Sequence, residues 1–268
     1  AAGLTFNRRA TVSLGGSWGE LRLGRDFTPY FRNLTVFDPF ETNGVGASLT
    51  LNGATSTAAG GASLNVVGPT AVRASNAVTY FLPANLNGVY GQVMHFVGEN
   101  AQNGATTERD GTGTAWRLGW TGGPLNAAVS WGRINYAKTA SSGDVTTYNL
   151  GGSYDVGPVS LMGQYTRDKV DTTTGVNARG FLVGAHYRAG AGEIKFTYSG
   201  YRITQAGPDP DARKLALGYV HNLSKRTAVY ATVARVNNKD GANHSLGGAI
   251  ISANNGSRGV DLGLRHMF

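Results

Sequence analysis

Cysteine is absent from all 268 residues, so neither a disulfide framework nor a thiolate-bound metal can organise this chain. No run approaches the roughly 18 apolar residues that a transmembrane helix needs, and mean hydropathy is −0.20. Charged residues are only 15 % of the chain, and although net charge is +8, the cations are scattered singly instead of gathered in a run. A nucleic-acid patch is therefore not expected; a lining is. The five histidines lack metal-ligand spacing, and "GVGASL" and "GTGTAW" lack the closing residues of a phosphate loop. No catalytic residues, metal or cofactor are expected. The opening "AAGLTFNRRATVSL" has no basic n-region or apolar h-region, so a secretory leader is expected to have been removed or never included.

What the chain does have is glycine, 40 residues of it, with aromatic bulk from 12 Tyr, 10 Phe and 4 Trp. Its final stretch, "SRGVDLGLRHMF", alternates. Val260, Leu262, Leu264 and Phe268 fall on one face of a strand, and Asp261, Gly263 and Arg265 fall on the other. Such a strand separates an apolar medium from a polar one. A wall of these strands also accounts for the low hydropathy, because lumen-facing residues dilute lipid-facing ones.

Turn signals recur at a fixed interval: "TGGP" from Thr121, "DVGP" from Asp155, "AGAG" from Ala189 and "LSKR" from Leu223, each 34 residues after the last. That period suits a helix-pair solenoid, but the intervening segments alternate every second residue and carry glycine, which helices disfavour. Two strands of about ten residues, a short turn and a longer polar loop fit each period, as in a transmembrane β-barrel. The fold class is all-β and antiparallel. About thirteen strands are predicted, near 4–14, 18–26, 73–83, 88–98, 112–121, 125–137, 145–155, 159–168, 177–188, 192–203, 212–223, 227–237 and 257–268. Segment 27–72 breaks the period. Its aromatic first part, "FTPYFRNLTVFDPFETNGVG", is expected to pack inside the barrel, and its polar second part reads as an extension.

Alternation also assigns faces. An unpaired arginine facing lipid costs about 2–4 kcal/mol near the midplane of a barrel wall. Trp116, Leu118 and Trp120 therefore face outward and Arg117 inward. The same parity turns Arg9, Arg22, Arg73, His186, Arg188, Lys195, Lys214 and Arg265 inward and Arg8 outward.

The stretches "FNRRATVSLGGSWGELRLGRDFTPY", "DPFETNG", "SNAVTYFLPANLNGVYGQV", "HNLSKRTAVYATVARV" and "VDLGLRHMF" together resemble the general diffusion porins of Gram-negative outer membranes, most closely the betaproteobacterial type. The resemblance spans nearly the whole chain. It implies a sixteen-stranded trimeric barrel with short periplasmic turns, long outer loops and a third loop folded inward. The first matching stretch corresponds to the family's fourth strand, so roughly three N-terminal strands would be absent, in keeping with the odd count. Arg25, in "LGR", matches a constriction arginine of the family. Thr79 stands where the family often has another. The inward loop would set Asp38 and Glu41 opposite the arginines, or these carboxylates pair locally with Arg32 or solvate a turn. Phe268 resembles the family's assembly signal.

The resemblance implies a single porin domain over 1–268. Its function would be passive diffusion of small hydrophilic solutes and ions, with a preference for anions, across a Gram-negative outer membrane. The implied partners are the lipid bilayer, lipopolysaccharide, the outer-membrane assembly machinery and, if the missing strands are present, two further copies in a homotrimer. An adhesin or translocator barrel would be expected to carry a plugging helix or passenger domain. A soluble β-sandwich binding module would purify without detergent.

Overall fold

The computed structural model describes residues 7–51 and 71–268. Thirteen antiparallel strands form one sheet, each paired with its neighbours in sequence. They are β1 Ala10–Gly16, β2 Gly19–Phe27, β3 Arg73–Phe81, β4 Val89–Phe96, β5 Gly113–Gly122, β6 Leu125–Ile134 and β7 Val145–Val156. There follow β8 Val159–Val170, β9 Val176–Ala189, β10 Gly192–Thr204, β11 Asp211–Asn222, β12 Thr227–Lys239 and β13 Ser257–His266. The predicted strand count is met. Among the described residues the first strand begins at Ala10; the predicted start near residue 4 falls in residues 1–6, which lie outside the described residues, as does 52–70 of the polar extension. Among the described residues, β1 and β13 pair on one side only.

Successive connections lie at alternate ends of the sheet; those at the short-turn end run from two to seven residues and those at the other end from five to 45. The 34-residue turns are the short ones. Two residues reverse the chain at 123–124 and again at 157–158, where Gly123 and Gly157 take φ of 54° and 58°. That left-handed conformation is open to glycine without a Cβ clash.

The two faces are inverted relative to a water-soluble sheet. Val12, Leu118, Leu150, Val183, Leu217 and Leu262 are exposed on the outside, while Ser130, Asn149, Gln164, Thr166 and Ser199 are buried on the inside. An apolar exterior around a polar interior is the arrangement of a strand-built membrane wall. No helix among the described residues is long and apolar enough to cross a membrane.

What fills the interior is the segment after β2. It opens with a helix, α1 Pro29–Val36, whose N-cap Thr28 accepts from the N–H of Phe31 at 3.2 Å and whose first residue is Pro29. Proline lacks the N–H that a first helical residue could not have used, and its φ already suits the helix. Tyr30, Leu34, Phe37, Phe40 and Leu49 from this segment are all buried. The aromatic stretch thus packs inside, as its composition suggested.

Candidate functional site

A chain segment running through a barrel's interior needs partners for its backbone, and the inward polar row supplies them. Asn33 Nδ2 donates to the carbonyl of Ala128 at 3.2 Å and to Asn149 Oδ1 at 2.5 Å, and Asn149 Nδ2 donates to the carbonyl of Tyr30 at 3.2 Å. Gln164 Nε2 donates to the carbonyl of Leu34 at 2.6 Å. Further along, Lys214 Nζ donates to the carbonyl of Ala47 at 2.5 Å, the N–H of Leu49 to Ser199 Oγ at 3.1 Å, and the N–H of Val45 to Asp261 Oδ2 at 2.6 Å. Strands β6, β7, β8, β10, β11 and β13 all hold the segment. It is a fixture of the wall.

The segment leaves two cavities. One, of about 680 Å³, is lined by Arg8, Arg32, Arg73 and Arg117, the aromatic rings of Phe27 and Phe31, and the carboxylate-bearing Glu41. The other, of about 580 Å³, lies towards the short turns of β10 to β13 and is lined by Lys195, Asp261, Arg265 and His266 among others, again with Glu41. Glu41 and Asn43 line both. The tip of the inward segment is therefore where the two spaces meet, and Glu41 stands there against an excess of guanidinium charge.

Each arginine is held differently. Arg117 donates from Nε to Asn33 Oδ1 at 2.7 Å and from Nη2 to the hydroxyl of Tyr90 at 3.2 Å, and its guanidinium lies 4.7 Å from the centre of that ring. Arg73 stacks at 4.8 Å over Phe27. Arg32, carried by α1, donates to Asp26 at 2.9 Å; burial pulls its pKa down, against the pull of Asp26 in the other direction. No ion pair neutralises Arg8, Arg73 or Arg117 among the described residues. Aromatic faces, and for Arg117 neutral acceptors, fix the guanidinium groups of Arg73 and Arg117 without cancelling their charge.

Several sequence expectations need correction at this level of detail. Arg8 lines the large cavity instead of pointing outward, because it precedes β1 and strand alternation does not govern it. Arg22 does face inward, but it is tied up between Glu20 at 2.7 Å and Asp26 at 2.5 Å, and Arg9 approaches the same Asp26 at 3.7 Å. Arg25 sits at a register shift between Gly24 and Asp26, donates to the Asn7 carbonyl at 2.6 Å and Ser75 Oγ at 2.7 Å, and lines neither cavity. Thr79 is buried and lines neither cavity. Asp38 is buried as well; it accepts from the N–H groups of Phe40 at 2.9 Å and Ser48 at 2.8 Å, and burial pushes its pKa up. It organises the loop, and Glu41 alone of the two presents to the cavities.

Asp26, Asn33 and Asn149 were not singled out by the sequence. Asp26, 1 % exposed, collects Arg9, Arg22 and Arg32, and it shares the inward parity of Glu20 and Arg22. Extending the alternation rule from cations to carboxylates and amides would have found it.

Residues 1–241 match the model of the Gram-negative porin family. Outer membrane porin protein 32 of Delftia acidovorans is 35 % identical over 288 residues, covering all of this chain and 76 % of that protein. An anion-selective porin from Comamonas acidovorans superposes with a TM-score of 0.82 at 33 % identity, over 100 % of this chain and 80 % of the other. A Salmonella typhi OmpF structure shares the fold, with a TM-score of 0.72 at 13 % identity over 97 % of this chain and 78 % of its own.

Proposed function

The chain belongs to the Gram-negative porin family, and from that premise we propose that it forms an outer-membrane channel for passive diffusion of small hydrophilic solutes, with a preference for anions. The observation that carries the preference is the large cavity, where, among the described residues, Arg8, Arg73 and Arg117 stand without ion pairs and Glu41 is the lone carboxylate of the lining. Walls of low dielectric focus such a field on whatever passes. The anion-selective character of the Comamonas relative supports the same reading. We take Arg73, Arg117 and Glu41 as the main selectivity residues and Arg9, Arg22 and Asp26 as the cluster that holds Arg32 in place. In planar bilayers with a salt gradient, the zero-current potential is expected to take the sign of anion permeation. A cation sign would overturn the preference.

The single barrel domain is oriented in this proposal with short turns facing the periplasm and long loops outside, and it assembles as a homotrimer in a leaflet of lipopolysaccharide. Phe268, past the end of β13 and fully exposed, is assigned as the signal read by the assembly machinery. Its deletion is expected to lower the yield of membrane-inserted protein severalfold while leaving the conductance of inserted channels unchanged. Equal yields would count against the assignment.

A further inference from the structure

Helix α1 carries apolar side chains on both of its faces. Tyr30, Asn33 and Leu34 are buried on the side turned to the wall, where β4 to β7 receive the helix. Phe31, Arg32, Thr35 and Val36 form the opposite face and line the large cavity. A helix face turned towards a water-filled path should be polar, and Arg32 and Thr35 meet that expectation. Phe31 and Val36 do not. Phe31 is half-buried and Val36 is 40 % exposed. The passage of inorganic ions gives no reason for either, because an apolar surface offers nothing in exchange for an ion's water.

Other stretches of the chain add to the same side of the cavity. Phe27 ends β2 with its ring centre 4.9 Å from that of Phe31, Val72 stands just before β3, and Leu51 comes from the far part of the inward segment. Three separate stretches thus bring apolar groups to one space of about 680 Å³, a size that suits a small organic molecule. An apolar patch left open and rimmed by charge marks a place where a ligand rests.

The charge on this rim is mostly of one sign. The Arg73 guanidinium makes no side-chain hydrogen bond or ion pair among the described residues and is held by the ring of Phe27. Arg117 uses Nε on Asn33 and Nη2 on Tyr90, which leaves Nη1 without a protein acceptor among the described residues. Guanidinium N–H groups in this state are matched by a carboxylate, which accepts through both oxygens. Chloride would use that half of the cavity and leave the apolar half idle. A solute that uses both has an anionic end and a flat apolar end, and a ring can pack on Phe31 in the offset or edge-on geometry that aromatic pairs prefer.

We propose that the large cavity is a binding site for monocarboxylates that carry an aromatic ring, with the carboxylate on Arg73 and Arg117 and the ring on Phe31 and Val36. Glu41, where the two cavities meet, repels the carboxylate and favours the arginine side. The inference rests on the anion-channel reading above and adds to it a substrate class.

The test uses the full chain in planar bilayers in potassium chloride at neutral pH, where acetate and benzoate are both ionised. Chloride current is recorded as acetate, benzoate or uncharged benzamide is added. Benzoate is expected to half-block the current at a concentration about tenfold below that of acetate, the gain from burying roughly half of a ring's apolar surface. Benzamide, with the ring but not the charge, should leave the current unchanged over that range. F31Q/V36T keeps the arginines and should bring benzoate to the half-blocking concentration of acetate. If F31Q/V36T yields no channels, V36T, an isosteric change at an exposed position, should cost benzoate about threefold and acetate nothing. Equal block by benzoate and acetate in the parent, equal block by benzamide, or a benzoate advantage that survives in these variants would overturn the proposal. The zero-current potential of the same membranes separates it from the reading beneath it. An anion sign without a benzoate advantage sinks this proposal alone, and a cation sign with one sinks the anion preference alone.

Discussion

Replacing Arg73 and Arg117 together with glutamine should lower the anion-to-cation permeability ratio about tenfold in dilute salt, read as a shift of reversal potential towards cation permeation. A unit charge about 7 Å from a passing ion acts on it with ~0.6 kcal/mol in water, roughly halved by screening at 0.1 M. Two lost charges act with opposite sign on anions and cations, so their effects on the ratio reinforce each other. Glutamine keeps a donor for Asn33 and so preserves the hydrogen bond that seats residue 117. K138Q is the control. Lys138 is exposed and pairs with Asp171 at 3.1 Å in the outer connections, so its loss should barely move the potential. R25Q is a second comparison, since Arg25 is bound to Ser75 and to the Asn7 carbonyl and lines neither cavity. Its shift should be smaller than that of R73Q/R117Q. Near 1 M salt, where the Debye length is about 3 Å, the difference between parent and R73Q/R117Q should shrink. Equal shifts from K138Q and R73Q/R117Q would mean that diffuse charge sets selectivity.

The wall of the barrel was legible because its physics is periodic. A strand between lipid and water must alternate, and that rule alone set Trp116, Leu118 and Trp120 outside and Arg117 inside. The short turns were legible for a related reason, since a two-residue reversal at Gly123 needs a left-handed φ. The interior was less so. Arg8 was misassigned because it lies just outside the strand, and Asp38 because a carboxylate in a loop looks the same in sequence whether it meets solvent or caps backbone N–H groups. Helix α1 carried a local sign, Thr28 followed by Pro29, that marks a cap and first turn. Its docking could not be read, because Asn33 and Leu34 meet Asn149 and Gln164 from more than a hundred residues away in sequence. Aromatic composition and the family resemblance both pointed the loop inward. Neither supplied which side chains hold it there.

Those side chains carry the last expectation. In N33A/Q164A the inward segment should undock while the sheet stays folded. Removing Asn33 takes a partner from Arg117 Nε and the Ala128 carbonyl, while Asn149 Oδ1 keeps only Ser130 Oγ, and removing Gln164 takes a partner from the Leu34 carbonyl. A buried group left unsatisfied costs about 1–3 kcal/mol, so the two sites together weaken docking by about 2–6 kcal/mol. The lower bound already corresponds to a roughly thirtyfold rise in the open population. Amide hydrogen exchange over 28–51 should accelerate by at least that factor. The ladders between strands lose nothing, so the heat transition of the barrel should change little. Conductance should rise and become noisier as the segment samples positions away from the wall. Selectivity should fall with it, because Arg32 rides on α1 and Arg117 is oriented by Asn33. A variant that exchanges like the parent over 28–51 but melts lower would place the importance of these amides in the wall and not in the docking of the segment. Faster exchange with unchanged conductance would separate the segment from the narrowest part of the path. Both findings contradict the arrangement argued here, in which one set of neutral hydrogen bonds fixes the width of the channel and aims the charge that selects its ions.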